Sequence, residues 1–222
     1  AEHFDTLALA SPDIDVFCSS AAWVIPAHKA FHPEQEPLIF EGEFGFLVLA
    51  RGETPNLGTY LAPLEAMWGL ASPLVGEEAP RLAIDAWRTI RGDVGAWDAL
   101  WLCGLNPHGA SFKAIAMLAG QAQRLFVGPT THRHVASLEG GLDGWLSRRA
   151  RTFRKSLRQA RRRAEEAGIT FEWHDAGAEE AQPALYARIL SVDDRSWKGL
   201  EDQGLQASNM APFYDHMTAY LM

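Results

Sequence analysis

Cysteine is nearly missing from this chain. Cys18 and Cys103 are its two, far apart and in no short motif. That excludes a disulfide-dense scaffold and leaves no thiolate spacing for a metal. Two buried free thiols in a reducing compartment are the reading preferred over a single disulfide. No apolar run approaches the ~20 residues needed to span a bilayer. The first thirty residues lack a basic segment followed by an uninterrupted apolar one, so no signal peptide is legible and the chain reads as cytoplasmic. His28 and His32 stand four apart, but no HExxH pattern accompanies them and Pro33 ends any helix there. They read as surface histidines. His108, His132, His134, His174 and His216 form no base–nucleophile pattern. Cationic charge is scarce too, with 20 Lys+Arg against 28 Asp+Glu and a net charge of −8. A general nucleic-acid binder needs clustered cations, so that class is disfavoured for the chain as a whole.

What is present reads as an ordinary globular protein. Hydrophobic residues make up 47% and charged residues 22% of 222, enough for one large domain or one domain and part of another. The eight tryptophans are scattered, as aromatics in cores or groove walls are. No internal repeat is visible.

One stretch breaks this evenness. Between Ser147 and Arg163 lie nine basic residues and no acid, so the remaining 11 cations face all 28 carboxylates, a balance of −17. Ser147 suits an N-cap and Gly168 a left-handed C′ position, which predicts a helix over 147–168. Phe153, Leu157, Ala160 and Ala164 recur along it as a narrow apolar stripe. Trp145, Phe153 and Leu157 are expected to face the core, with most arginines in solvent. Arg151, Arg154, Lys155, Arg158 and Arg162 follow three-to-four spacing, while Arg148, Arg149, Arg161 and Arg163 fall elsewhere. Ile169, Phe171 and Trp173 then alternate with polar residues as a half-buried strand does.

Along the rest of the chain, Trp23–Phe31 predicts a short helix, and 37–40 and 44–49 adjacent strands around a Glu41-Gly42-Glu43 turn. A further strand or edge is expected over 57–64. A helix from about Glu77 to Ile90 carries Leu82, Ala86, Trp87 and Ile90, with Pro80 tolerated in its first turn. Trp97–Leu105 has the length of a buried strand, and Ser111–Gly120 that of a helix. Strand segments are expected at 125–127 and 135–138, and helices over 179–197 and 210–222. The pattern is mixed α/β.

Several strings taken together resemble one family. They are the Trp145-Leu146 pair, the arginine-studded helix closing in Glu165-Glu166-Ala167-Gly168, the short strand after it, Arg195-Ser196-Trp197-Lys198-Gly199, Phe213-Tyr214, and Ser20-Ala21-Ala22-Trp23. They resemble the FemAB-like branch of the GNAT acyltransferases, in particular the subgroup typified by the CelD cellulose-biosynthesis protein. The resemblance implies a GNAT-like mixed sheet flanked by helices, followed by an incomplete second unit of the same kind. It divides the chain into a degenerate N-terminal unit (1–146), a basic linking helix (147–168) and the opening strand and helices of a second unit (169–222). It also implies transfer of an acyl or aminoacyl group to an amine or hydroxyl acceptor.

In that family acyl-CoA is the cofactor, its pyrophosphate held on the backbone amides of a loop reading Gln/Arg-x-x-Gly-x-Gly/Ala. No such loop occurs here. Arg91-Gly92-Asp93-Val94-Gly95-Ala96 has the wrong spacing and leaves a helix, and Val75-Gly76-Glu77-Glu78 sets two carboxylates where phosphates would sit. No acyl-CoA is therefore expected on this chain. The cofactor half is expected past Met222 or on a second chain, and no catalytic residue is assigned.

The substrate-binding candidates are Arg148, Arg151, Arg154 and Arg158 on the basic helix, with Trp197 and Lys198 as the wall of an acceptor site. Three readings of the helix stay open: a solvated face over a packed stripe, a site for an anionic small molecule or polysaccharide precursor, and a nucleic-acid contact. Trp197 has the alternative of closing the core, and Asp193-Asp194 that of an exposed pair. A non-catalytic scaffold using the arginine helix to hold an acidic partner is the second function. The Phe213, Met217 and Leu221 stripe is expected to need a partner from outside the chain.

Overall fold

The run Phe46-Leu47-Val48-Leu49-Ala50 is buried at every position, which marks its strand as the centre of a sheet covered on both faces. The computed structural model describes residues 1–121, 123–132, 134–172, 182–206 and 210–221. They divide into two units, one formed by Ala1–Val127 with Gly177–Met222 and the other by Gly128–Ala176.

The larger unit opens with helices α1 (Glu2–Ala10) and α2 (Ala21–Phe31) and strands β1 (Glu36–Gly42), β2 (Gly45–Thr54), β3 (Gly58–Pro63) and β4 (Leu74–Val75). Helix α3 (Ala79–Gly92), strand β5 (Ala99–Leu100) and helix α4 (Ala110–Ala119) follow. The smaller unit carries α5 (Gly141–Ser147) and α6 (Arg151–Glu166), after which the chain returns to the larger with α7 (Gln182–Asp194), α8 (Trp197–Leu200) and α9 (Ala211–Leu221).

The sheet runs β1-β2-β3-β5, antiparallel except for the β3–β5 pair, and β4 joins β2 beside β3. Strand β2 shares one edge between two partners: its first residues pair with Leu74–Val75 and its later ones with β3. Alternation along β2 feeds two cores. Phe46, Val48 and Ala50 pack with Phe4, Ala8, Ala21 and Val24 of α1 and α2. Leu47 and Leu49 pack with Leu82, Ala83, Ala86 and Ile90 of α3 and Ile115 of α4. Gly45 makes the hairpin possible: its φ is +135°, and an added Cβ would meet the Val75 carbonyl oxygen at 2.1 Å.

The mixed α/β architecture expected from the sequence is the one observed, a five-stranded mixed sheet flanked by helices. The expected helices over 23–31, 77–90 and 111–120 correspond to α2, α3 and α4. Helix α1 was not expected.

Three apolar segments depart from expectation. Leu125–Val127, Val135–Leu138 and Ile169–Phe171 are exposed and form no strand, and Trp173 lies outside the described residues. Local patterning signals a strand only where an edge is available to pair with it. Trp97–Leu105 pairs over Ala99–Leu100 alone, because β3 offers it Tyr60 and Leu61 before Pro63 closes that strand, and Trp101 is 54% exposed.

The C-terminal helix is the clearest correction. Helix α9 packs along α2 inside the same unit. Phe213 is fully buried within van der Waals reach of Trp23, Phe31 and Trp68, with ring centroids 5.0–5.7 Å away. No outside partner is needed for that ring, although Leu221 at the helix end stays exposed.

Candidate anion-binding site

Helix α6 reads RTFRKSLRQARRRAEE, nearly all strong helix formers. It closes as the sequence implies. Gly168 takes φ +67° at C′, its N–H donates to the Glu165 carbonyl at 3.1 Å, and the Ile169 N–H donates to the Ala164 carbonyl at 2.9 Å, the two bonds of a Schellman ending. Its start differs from expectation. Ser147 ends α5, where its hydroxyl donates to the Gly144 carbonyl at 2.7 Å, and α6 begins after Ala150 without a side-chain cap.

At 3.6 residues per turn, Arg151, Arg154, Lys155, Arg158, Arg161 and Arg162 fall within an arc of roughly 120°. Arg161 and Arg162 are drawn to Glu165 and Glu166 one turn on, at 3.0 and 3.4 Å. Such exposed pairs hold weakly. Arg151, Arg154, Lys155 and Arg158 make no ion pair among the described residues. Four cations on two adjacent turns therefore stand without a paired carboxylate among the described residues. Arginine forks there can take phosphate or carboxylate oxygens bidentately.

The other expected residues are placed differently. Arg148 is engaged, donating to the carbonyls of Ser137 at 2.8 Å and Glu139 at 3.0 Å, so it clasps the segment before α5. Trp197 and Lys198 belong to the other unit. Trp197 does not close the core. It is 62% exposed, with the Lys198 ammonium 5.8 Å from its ring centroid, because Ser196 caps α8 by accepting the Gly199 N–H and turns the ring outward. Asp193 accepts the Leu205 N–H, and both Asp194 oxygens accept from the Gln206 amide. That pair therefore fastens the loop after α8.

Phe153 and Leu157 are not buried beneath α6. They are 44% and 42% exposed. Trp145 reaches the first of them edge-on at 5.6 Å, and the Arg149 guanidinium lies over the Trp145 ring at 4.5 Å. The expectation that this stripe faces a core fails because none of the described residues from 128 to 172 is buried.

The entry to α3 does not fit an acyl-CoA pyrophosphate. The Gly76 N–H already donates to the Ser11 hydroxyl at 2.7 Å, and a Cβ there would meet the Phe44 carbonyl at 2.1 Å. Glu77 and Glu78 are exposed at the mouth, Glu78 paired with Arg81 at 2.8 Å.

Patterning along the chain missed the polar core of the larger unit. Glu65 is almost fully buried, and its carboxylate accepts N–H bonds from Trp68, Gly69, Leu70 and Ala71 at 2.6–3.2 Å. Only the odd acid in an apolar, Gly-containing run signals it. The site is structural: one carboxylate replaces the carbonyls a helix would supply. Burial and the nearby Glu65 charge push the Cys103 thiol up to about 12, and burial raises Cys18 as well. Both shifts favour the thiol over the nucleophilic thiolate. His28 and His32 are half-buried instead of lying free on the surface: burial and the His32 charge lower His28, while His32 lies 3.8 Å from Glu34. No helix is long and apolar enough to cross a membrane among the described residues.

No family model, curated protein or solved structure matches the chain.

Proposed function

We propose that the chain is part of a FemAB-like acyltransferase, and that its own contribution is to hold an anionic acceptor or carrier on the basic face of α6. One observation carries this reading: Arg151, Arg154, Lys155 and Arg158 share one face, exposed except for the half-buried Arg154, and make no ion pair among the described residues. The residue strings that resemble the CelD-like subgroup supply the acyl-transfer half of it. Trp197 and Lys198, on the other unit, are not assigned to this site.

The α3 entry gives no cradle for the donor pyrophosphate, so no step through acyl-CoA is derived for these residues. Transfer needs donors aimed at the carbonyl oxygen and a base for the acceptor. In this reading neither group is assigned to a residue of this chain.

A second reading drops catalysis and keeps the helix as a dock for an acidic partner. The crowded α3 entry favours it. Binding separates both from a merely solvated helix. Glucosamine 6-phosphate should bind more tightly than glucosamine, and an Arg154→Gln/Arg158→Gln variant should lose that preference. Equal binding of the two sugars would remove the anion site. Free-thiol release from acetyl-CoA by the chain with an amino-sugar acceptor would show instead that the transfer machinery is within it.

A further inference from the structure

The basic side of α6 is the anion site proposed above, and its other side is apolar. Phe153, Leu157, Ala160 and Ala164 form a stripe beside the cations, and its two large residues are half in water. Among the described residues from 128 to 172 none is buried, so none of them forms a core beneath the stripe. Helix α6 holds seven basic residues against two acids, both acids in the last turn and both taken by Arg161 and Arg162. Trp145 adjoins the stripe through Phe153 and carries the Arg149 guanidinium on its face.

We propose that α6 and Trp145 form an interfacial element that seats this unit on an anionic lipid bilayer, the stripe lying at the acyl boundary and the cations among the headgroups. The proposal rests on the anion-binding reading of the basic face and names its occupant. A helix of low overall hydrophobicity, with arginines on one side and Phe and Leu on the other, suits the plane of a charged interface. Its 16 residues give about 24 Å of contact at ~1.5 Å per residue. Trp beside a cation is the pairing found where one end of a ring is apolar and the other wet.

The apolar stripe decides between possible occupants. A nucleic acid would engage the cations and leave Phe153 and Leu157 in water. A deep protein groove would select several large anchors, whereas here alanines follow Leu157. A bilayer surface satisfies both sides with this shallow stripe.

The test is co-sedimentation of the full chain with phosphatidylcholine vesicles and with vesicles containing one third phosphatidylglycerol. The anionic vesicles should bind and the neutral ones should not. Replacing Arg154 and Arg158 with glutamine should weaken binding roughly thirtyfold, at one headgroup interaction per cation. The Phe153→Ser/Leu157→Ser variant keeps every charge and should weaken vesicle binding by about tenfold or more. Its affinity for inorganic triphosphate should not change, and its circular dichroism should match the parent's. If that variant binds vesicles like the parent, the stripe is not inserted and the proposal falls while the anion site stands. A single-stranded oligonucleotide that binds more tightly than the vesicles, with no effect of the apolar variant, would assign the face to nucleic acid and overturn it. Loss of both vesicle and triphosphate binding by the parent chain would sink this inference together with the reading beneath it.

Discussion

Phe213 on α9 meets Trp23 on α2 edge-on, their ring centroids 5.1 Å apart and their planes at 74°. Phe31 and Trp68 complete the enclosure. The contact ties the end of the chain to its beginning, so α9 owes its order to the larger unit. Phe213→Ala should cost about 3–5 kcal/mol, the range for a fully buried ring. Urea denaturation of the variant checks this, and a change under about 1 kcal/mol would mean that α9 is only loosely docked.

Glu65 should be as sensitive as any apolar core residue. Glu65→Gln keeps the shape but turns one acceptor oxygen into a donor group facing N–H donors. Leaving two of the four amides without an acceptor should cost about 2–6 kcal/mol at ~1–3 kcal/mol each. Amide exchange offers the direct readout. Protection should fall at Trp68–Ala71, where these bonds end, and unchanged protection would contradict the assignment.

His28 supplies a pH dependence whose sign is fixed. Burial lowers its folded pKa below the ordinary value, with the His32 charge adding to the shift, the Glu34 charge opposing it and the Gln35 backbone opposing it as well. The unfolded chain therefore takes up the proton first as pH falls. Stability from the neutral ring is complete above about pH 6.5 and declines below it, as the pH approaches the folded pKa. A His28→Gln variant should lose less stability than the parent between pH 7.5 and 5.5, measured by thermal melts at each pH. Parallel melting curves would remove His28 as the source.

Phe153→Ala should matter little to folding. A ring 44% exposed forgoes much of the usual cavity cost, and about 1 kcal/mol or less is expected in place of the ~3–5 kcal/mol of a buried one. A larger loss would place the stripe against a core after all.

How much of this was legible follows from the range of each interaction. Strand β2 could be read because Phe46–Ala50 is a continuous apolar run bounded by glycine and charge. Helix α3 could be read because Leu82, Ala86 and Ile90 repeat along one face. Gly168 announced its left-handed ending. Local pattern could not tell that Val135–Leu138 has no edge to pair with, or that Phe213 finds Trp23 across 190 residues of chain. In the candidate site, the spacing of Arg151, Arg154, Lys155 and Arg158 gave their common face. The engagement of Arg148 by two backbone carbonyls depends on a turn that no spacing reveals. Glu65 was illegible for the same reason: its partners are backbone amides, which every sequence has.

The central claim is that the first turns of α6 hold an anion, and calorimetric titration with inorganic triphosphate tests it most directly. The full chain should bind, with affinity falling as salt is raised from 50 to about 300 mM because exposed charges are screened over ~10 Å or less. Arg154→Gln/Arg158→Gln should weaken binding by about tenfold or more, from the loss of two charge-assisted forks. Binding that neither salt nor the double substitution alters, or no binding at low salt, would contradict the account.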